Sequence, residues 1–343
     1  MARFTVYNSI SAPEKKSGIA EQNKFLTTEF LDYLKSVDRA QSTILQYAND
    51  LNIFFCWDYD FNGNKAFTDI TKREYIKFQN HALNEWGWSP KRLRRVKSVI
   101  SSLSNYIENI LDEEKEFKDY RSVIKKIESP VNVSVREKSV FTPEELQSLL
   151  DTLVEKKEYE AACALSLAMC SARRKSELTR FKVSYFDDSN VLFGSLYKTP
   201  EMVTTKGRGS KGKLLYLYVL KKQFDPYLKL WLEERQEKGI ESEWLFPDKT
   251  NLAEHTGIGL FDSWASQFSK ILNKDFYWHS MRHYATTEFV KSNLPTNVIQ
   301  DIIGWESADM VSLYTDLSAD DNIGKYFDEN GIKKIDKTTL SEL

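Results

Sequence analysis

The sequence has few cysteines and no long apolar run. Its three cysteines, Cys56, Cys163 and Cys170, are an odd number, and none has the C-x-x-C or Cys/His spacing of a metal site. We therefore expect reduced, buried thiols and no metal centre. No apolar run approaches the roughly 20 residues that span a bilayer, and the N-terminus lacks the apolar core of a signal peptide. These absences favour a cytoplasmic protein that does not contact a membrane.

Net charge is also small. The formal value of −2 excludes a uniformly basic protein. It does not exclude nucleic-acid binding, because phosphate contacts require only a locally basic face. The sequence also has no G-x-x-x-x-G-K-[ST] phosphate loop and no carboxylate cluster of the kind that two-metal nucleases use. At 343 residues, with 41% hydrophobic residues, the chain is long enough for two globular domains.

The most informative stretch begins at His279. Arg282 lies three residues later, so the two side chains share one face of a predicted helix. A guanidinium and an imidazole held together suit an anion that must be both bound and protonated. Taken alone, such a pair is more often a surface or core pair.

A single predicted helical run follows, and its pattern of residues makes the stretch more specific. Gly304 ends the run, Trp305 comes next, and Tyr314 follows the tryptophan after nine residues. The apolar positions of the run are Phe289, Val290, Val298, Ile302 and Ile303. A tyrosine one short helix away from the His–Arg pair is a plausible nucleophile towards phosphorus.

The order H-x-x-R, Gly-Trp and then Tyr resembles the C-terminal motif of the tyrosine recombinases, also called the phage integrase family. Most members carry His at the position of Trp305, and tryptophan is a known variant. The resemblance implies that Tyr314 is the nucleophile. It also implies that Arg282, His279 and Trp305 act at the phosphate.

A second match lies at residues 170–178, C-S-A-R-R-K-S-E-L. It resembles the family's first motif, usually T-G-L-R-x-S-E-L, with Ala172 in place of the usual glycine. Alignment on S-E-L makes Arg174 the catalytic arginine, Arg173 its non-catalytic neighbour and Glu177 the acidic residue that supports the site. Cations are unfavourable at the start of a helix, so the R-R-K run suggested that an external anion sits nearby.

Two strand-like runs, at 193–199 and 214–220, flank a Gly-rich basic segment. The segment resembles the family's β-hairpin, which carries a catalytic lysine. Lys206, before Gly207, is the expected lysine. Lys211 stays open as an alternative, because the turn is two residues longer than usual.

The N-terminal half reads as successive helices, predicted at 25–37, 42–57 and 71–86 and from Ser89 onwards. The pattern T-x-x-x-Y-x-x-D-L-x-x-F resembles the second helix of the family's core-binding domain. The last helix begins with a dense basic run, which suits a duplex backbone better than a merely solvated face. The proposed DNA-binding residues are Lys91, Arg92, Arg94, Arg95 and Lys97. The buried stripe of the same helix is predicted at Val96, Ile100, Leu103, Ile107 and Ile110.

These observations predict a mainly α fold with a small antiparallel β-sheet, in two domains. We expect a flexible arm at 1–21, a helical SAM-like core-binding domain at 22–127, a linker at 128–140 and an α+β tyrosine-recombinase catalytic domain at 141–343. The polar segment after Tyr314 contains Ile323, Tyr326 and Phe327. By resemblance, it docks onto a neighbouring protomer.

The implied activity is site-specific recombination of double-stranded DNA through a 3′-phosphotyrosyl intermediate, without metal or nucleotide cofactor. Resemblance further implies a tetramer on two recombination sites, accessory DNA-bending proteins, and a cytoplasmic, nucleoid-associated protein. Two alternatives remain. One is a type IB topoisomerase or telomere resolvase with the same constellation, and the other is a non-catalytic DNA-binding relative.

Overall fold

The structure, a computed structural model, describes residues 10–131, 140–205 and 212–314, with two further short strands, Phe327–Asp328 and Gly331–Ile332. Of residues 312–314 it describes the backbone alone. Contacts divide the chain into two compact units. The first contains the described residues 10–131 and 212–213, and the second contains 140–205, 214–314 and the two short strands after them. No helix within these ranges combines the length and the apolarity needed to cross a membrane.

Between residues 10 and 131, the first unit contains only helices, turns and loops. Its helices are α1 (Pro13–Gly18), α2 (Glu21–Ser36), α3 (Gln41–Phe61), α4 (Lys72–Asn84) and α5 (Pro90–Ile110), with short 3₁₀ turns at Phe67–Asp69 and Ile124–Lys126. Local sequence rules set two of the helix starts. Thr71 and Glu74 form a reciprocal capping box, and Ser89 accepts from the Arg92 N–H with Pro90 in the first turn.

Aromatic side chains fill the core of this unit. The Phe54 ring packs edge-on against Phe78 at 5.0 Å and against Phe67 at 6.3 Å between centroids. The predicted stripe of α5 is buried from Val96 to Ile107, which agrees with its helical spacing. Ile110 was predicted to be buried but is 49% exposed. It is the last residue of the helix and projects beyond the packed core.

The sequence predicts a flexible arm at 1–21, whereas the structure has a short helix in the second half of that range. Residues 13–18 form α1, and Ile10 and Ile19 are buried in the core of the first unit. The helix is short and mostly polar, so its sequence carries little periodicity, and its order comes from packing instead. Residues 1–9 lie outside the described residues.

The second unit holds the remaining helices and the strands. Its helices are α6 (Pro143–Glu155), α7 (Tyr159–Ser171), α8 (Lys175–Leu178), α9 (Lys221–Glu237), α10 (Ile258–Leu272), α11 (Trp278–Lys291), α12 (Thr296–Ile303) and α13 (Asp309–Tyr314), with 3₁₀ turns at Val183–Phe186 and Asp188–Asn190. Thr142 and Glu145 cap α6 reciprocally, as the sequence predicts. The Ala-rich α7 is the central helix, because nearly all its side chains are buried between α6, α9 and α11.

The strands of this unit are short: β1 (Val191–Leu192), β2 (Leu196–Lys198), β3 (Val203–Thr205), β4 (Lys213–Leu215) and β5 (Tyr218–Leu220). Antiparallel pairs join β1, β2 and β5 in one sheet, with Tyr197 opposite both Val191 and Val219. Strands β3 and β4 pair separately, and β6 (Phe327–Asp328) and β7 (Gly331–Ile332) form a third pair. The fold class predicted from the sequence, mainly α with a small antiparallel sheet, is confirmed.

The two predicted strand runs differ from the observed strands. Phe193 and Gly194 both have positive φ and form the turn between β1 and β2, so the run at 193–199 does not begin as a strand. The run at 214–220 is divided between β4 and β5. The strands that flank the basic segment are therefore β3 and β4, each only three residues long.

The single helical run predicted from His279 to Ile303 is also wrong. It is two helices, because Asn293 adopts a left-handed conformation (φ 58°) and Pro295 precedes α12. Val298, predicted as an apolar packing position, is 37% exposed. Gly304 ends the second helix as predicted, with φ 77°.

Candidate active site

A tight turn brings the first motif into the interior of the second unit. Helix α7 ends at Ala172, which is fully buried and adopts a left-handed conformation with φ 54°. This is the position where the related motif has glycine, the residue that adopts such a φ without strain. Arg174 then precedes the one-turn helix α8, and its backbone N–H donates to Glu177 Oε2 at 3.1 Å.

Glu177 is the centre of the charged cluster. It is 1% exposed, and its Oε1 accepts from Arg174 Nη1 at 3.0 Å. Burial by itself would raise the pKa of Glu177. The charges of Arg173, Arg174 and Arg282 and the bond from the Arg174 N–H outweigh burial and hold that pKa below its ordinary value. The carboxylate is therefore ionised at neutral pH.

Arg282 reaches the same carboxylate from helix α11. Its side chain is fully buried, its Nη1 donates to the Ala172 carbonyl at 3.0 Å, and the same nitrogen lies 3.8 Å from Glu177 Oε2. The guanidinium carbon lies 4.9 Å from the centroid of the Trp305 ring, a cation–π arrangement. The structure thus brings Arg174, Glu177, Arg282 and Trp305 together.

The helix that bears Tyr314 packs beside this cluster. Val311 of α13 is buried in a small apolar cluster that also contains Ala172 and Trp305, together with Ala285, Phe289, Ile299 and Ile303. Helix α13 contacts both α11 and α12. The backbone of Tyr314 is therefore carried by an element that shares packing with the first motif and with Trp305.

Of the remaining predicted catalytic residues, the structure describes His279 but neither of the two candidate lysines. His279 is exposed, one helical turn before Arg282. Its ring lies edge-on to that of His283 at 5.4 Å between centroids. Sequence analysis had not singled out His283, although its spacing of four from His279 places it on the same helix face. Lys206 and Lys211 lie outside the described residues.

Each cation of the R-R-K run has an internal partner, so the run does not require an external anion, and the anion expected nearby stays a prediction. Arg173 is fully buried and donates through Nη1 to the Ile303 carbonyl at 3.4 Å and through Nη2 to the Ile302 carbonyl. Burial lowers the pKa of Arg173 to about 10, so it stays charged at neutral pH. Arg174 pairs with Glu177, and Lys175 Nζ lies 2.6 Å from Asp262 Oδ1. Long-range carbonyl acceptors leave no local signal, so the sequence alone does not mark Arg173 as part of the site.

In the first unit, a buried carboxylate orders part of the basic run of α5. Asp50 is 1% exposed and binds Arg92 at 2.6 Å through Oδ1 and Arg95 at 3.0 Å through Oδ2. Arg92 also lies over the Trp88 ring at 4.9 Å. An open cleft of about 730 Å³ adjoins these residues, and Lys16 of α1 lines it as well.

The other basic residues of the run have different surroundings. Arg94 is exposed, and its Nε donates to the Pro130 carbonyl at 3.0 Å. Lys97 Nζ donates to the Ile127 carbonyl and to Ser129 Oγ, and burial, helped by the charge of Arg94, lowers the pKa of Lys97. Lys91 is exposed. The run is thus partly a structural network and partly an outward-facing surface.

Comparison with known proteins decides the family. The model of the phage integrase family matches residues 139–320, more than half of the chain. The chain belongs to this family. The recombinase-like protein YomM, derived from the SPbeta prophage of Bacillus subtilis (strain 168), is 29% identical over 251 residues, which are 73% of this chain and 72% of that protein. Transposase B from transposon Tn554 of Staphylococcus aureus (strain N315) is 26% identical over 181 residues, 51% of this chain and 26% of that protein.

Solved structures share the fold of this phage integrase family member. The XerH site-specific recombinase, in its post-cleavage complex with palindromic difH substrate, has a TM-score of 0.63 and 16% identity over 82% of this chain and 78% of that one. The Tn1549 transposon integrase in complex with transposon right end DNA has a TM-score of 0.61 and 15% identity, over 88% and 98%. The resemblance to tyrosine recombinases is therefore confirmed, and the chain is a site-specific recombinase.

Within the described residues, no group of three or more His, Cys, Asp or Glu side chains is arranged to hold a metal ion. The acidic group nearest the candidate site is the Glu177 carboxylate, and its oxygens already contact Arg174 and Arg282. The cluster is cationic overall, with three arginines around one carboxylate. Such a cluster is suited to a phosphate rather than to a cation.

Proposed function

We propose that this recombinase cuts and rejoins DNA through a covalent 3′-phosphotyrosyl link to Tyr314. One observation carries the proposal: guanidinium groups from α11 and from the turn before α8 meet at the single buried carboxylate of Glu177. Arg174 is 29% exposed at its side chain, so it can still reach an external anion.

In the proposed step, the phenol oxygen of Tyr314 attacks the scissile phosphorus. A bond from the tyrosine oxygen to phosphorus forms as the bond from phosphorus to the 5′-oxygen breaks. His279 takes the phenolic proton, and Lys206, or Lys211 in its place, gives a proton to the leaving 5′-oxygen. The products are a 3′-phosphotyrosyl end and a free 5′-hydroxyl. Reversal of these transfers with a second strand's 5′-hydroxyl completes the exchange without metal or ATP.

The buried cluster supplies electrostatic stabilisation for this step. Arg174 and Arg282 would bind the non-bridging oxygens, where negative charge develops in the transition state. Glu177 would hold both guanidinium groups in position, so little reorganisation is required when the phosphate binds. Trp305 would donate its indole N–H to the phosphate and pack the helix of Tyr314.

DNA contact outside the site is proposed for the first unit. Lys91, Arg94 and Arg95 are exposed on α5 and can approach phosphates, as the sequence suggested. Arg92 and Lys97 are half-buried as well as bonded internally, so we propose that they shape this surface more than they contact DNA. The structures of XerH and the Tn1549 integrase contain DNA, which is consistent with a duplex substrate here.

We further propose that four protomers act on two DNA sites, with the segment after Tyr314 docking on a neighbouring protomer. Recruitment of DNA-bending proteins is likewise proposed from the resemblance to the family. Residues 315–326 lie outside the described residues, so the tail proposal rests on family resemblance alone.

Trapping of the covalent adduct tests the proposal. Nicked duplexes tiled across the DNA that flanks the gene would lose a short 5′-hydroxyl fragment on cleavage and leave the protein linked to the 3′ end. We expect a protein–DNA band with the wild type and with Tyr227→Phe, a control tyrosine that bonds Gln147 elsewhere in the second unit. Tyr314→Phe should give no band. An adduct that persists in Tyr314→Phe would disprove the assignment, and relaxation of one plasmid without exchange between two sites would indicate a topoisomerase instead.

A further inference from the structure

Arg173 departs from the motif that surrounds it. The related motif, T-G-L-R-x-S-E-L, has leucine at this position, whereas here the side chain is a charged guanidinium with no exposed surface. A buried arginine destabilises the folded state unless its N–H groups have acceptors and its charge has a compensating partner. The burial of this side chain is therefore compensated by contacts that leucine cannot make.

Those contacts lie at the end of α12. In the turn that closes the helix, the N–H groups of Gly304 and Trp305 both donate to the Gln300 carbonyl, at 2.6 and 3.0 Å. The last two carbonyls of the helix, those of Ile302 and Ile303, face Arg173, and the guanidinium donates to both. A cation at this point also complements the negative end of the helix dipole.

The same turn is held from a second side. A Cβ built on Gly304 would overlap the Leu215 Cδ1 atom of strand β4. The strand follows the segment that carries Lys206 and Lys211. The turn at residues 302–305 is thus enclosed between the first motif, through Arg173, and the strand next to the lysine segment. Trp305 is the last residue of this turn, and its ring faces the Arg282 guanidinium.

We propose that Arg173 is a positioning residue: by binding the end of α12, it sets Trp305 and the Tyr314-bearing helix α13 relative to the Arg174–Glu177–Arg282 cluster. It touches neither DNA nor the reacting atoms. The inference rests on the proposed function, because Arg173 would act by positioning the nucleophile Tyr314. Leucine at this position would leave the two carbonyls without this cation and free the turn to move.

The test compares two buried arginines that make the same kind of bond. Arg235 is 5% exposed and donates to the carbonyls of Ser242, Trp244 and Leu245 at 2.8–2.9 Å, in a different part of the second unit. Arg173→Leu and Arg235→Leu therefore remove equivalent side chains. Arg173→Lys keeps the charge with a shorter reach and serves as the conservative variant.

Three quantities are measured for each variant. They are the single-turnover rate of adduct formation at saturating nicked duplex, the Kd for an uncleaved duplex, and the rate of amide hydrogen exchange in the peptide spanning residues 300–305. We expect Arg173→Leu to cut on the order of 10- to 100-fold more slowly with an unchanged Kd and faster exchange in that peptide, since small misplacements are costly. Arg173→Lys should recover part of the rate. Arg235→Leu should leave the rate and this peptide unchanged.

Three outcomes would overturn the proposal. The first is an Arg173→Leu protein that cuts at the wild-type rate. The second is equal slowing of both leucine variants in proportion to lost thermal stability, which would make the role merely structural. If Arg173→Leu does not fold, an Arg173→Lys protein with wild-type rate and wild-type exchange at residues 300–305 would count equally against it. An inactive wild type would instead contradict the proposed function, so the two failures are distinguishable.

Discussion

Glu177 Oε2 lies 3.8 Å from Nη1 of Arg282, although the two residues come from different helices of the second unit. The same carboxylate accepts two hydrogen bonds from Arg174. Because all three side chains have fixed partners, the two guanidinium groups are ordered before any phosphate arrives. Preorganisation of this kind reduces the reorganisation that charge development would otherwise require.

Glu177→Gln should lower stability and adduct formation together. Removing one charge from a buried ion-pair network costs about 3 kcal/mol, because the arginines lose the charge that compensates their burial. Urea unfolding at pH 7 measures this loss, and trapping on nicked duplex measures the rate. Glu144→Gln, an exposed change on α6, is the control. Wild-type values for both quantities would show that Glu177 does not organise the site.

The stability difference caused by Glu177→Gln should depend on pH. The pKa of Glu177 is depressed in the folded state, so its contribution is present above the unfolded pKa and is lost as pH falls through the folded one. We expect the difference in unfolding free energy between wild type and Glu177→Gln to decrease as the pH falls below about 5. A gap that stays constant between pH 7 and pH 3 would contradict this assignment.

Trp305 has two separable roles, stacking and hydrogen bonding. Its ring lies 4.9 Å from the Arg282 guanidinium and packs with Val311. Trp305→Phe keeps an aromatic face but has no N–H, so we expect near wild-type stability and an adduct rate about tenfold lower. Trp305→Ala should also unfold more easily, by about 3–5 kcal/mol. Equal adduct rates in Trp305→Phe and wild type would remove the indole N–H from the proposed mechanism.

Local rules explain why much of the fold could be predicted from the sequence. Helix starts at Thr71, Ser89 and Thr142 are set by side chains within three residues, and the structure contains each cap. The pairing of Arg174 and Arg282 was accessible only through resemblance to a family, since nothing local links them. The resemblance also named Glu177 as the supporting acid, and the structure adds that its carboxylate contacts both guanidinium groups.

Several failures of prediction share a physical cause, which is that the deciding partner is distant in sequence. Arg173 was set aside because its acceptors are main-chain carbonyls of α12, which no side-chain pattern marks. The order of α1 depends on packing of Ile10 and Ile19 into the core of the first unit. Asp50 likewise pairs with Arg92 and Arg95 from another helix, a partner that the sequence of the basic run does not reveal.

Gly304→Ala should destabilise the second unit. The new Cβ would require an L-residue at φ 77°, which costs about 1–2 kcal/mol, and would overlap Leu215. Leu215→Ala in the same protein should relieve the overlap but not the backbone strain, so rescue will be partial. Urea midpoints of the two single variants and the double variant measure the coupling. Strict additivity would show that Gly304 and Leu215 do not constrain one another.

Lys91→Ala should weaken duplex binding through electrostatics alone. Lys91 is exposed on α5, and a lysine that neutralises one phosphate contributes about one unit to the slope of log K against log salt. Fluorescence anisotropy across a salt series should give a slope reduced by about one, with little change between DNA sequences. The control is Lys35→Ala, because the Lys35 side chain is 60% exposed and pairs with Asp32. An unaltered slope for Lys91→Ala would place the DNA elsewhere.

Asp58→Asn should stabilise the first unit, and more strongly at neutral than at acidic pH. Asp58 is fully buried on α3, and burial raises its pKa to about 6, although Asn62 donates to its Oδ1 at 2.8 Å. Because the folded pKa exceeds the unfolded one, wild-type stability falls as pH rises from about 4 to about 6, by about 3 kcal/mol, and is flat above that. Asparagine keeps an acceptor for Asn62 without the charge. Urea unfolding at pH 5 and pH 8 should therefore give a larger gain at pH 8, whereas an equal gain at both would mean that the Asp58 carboxyl does not titrate in this range.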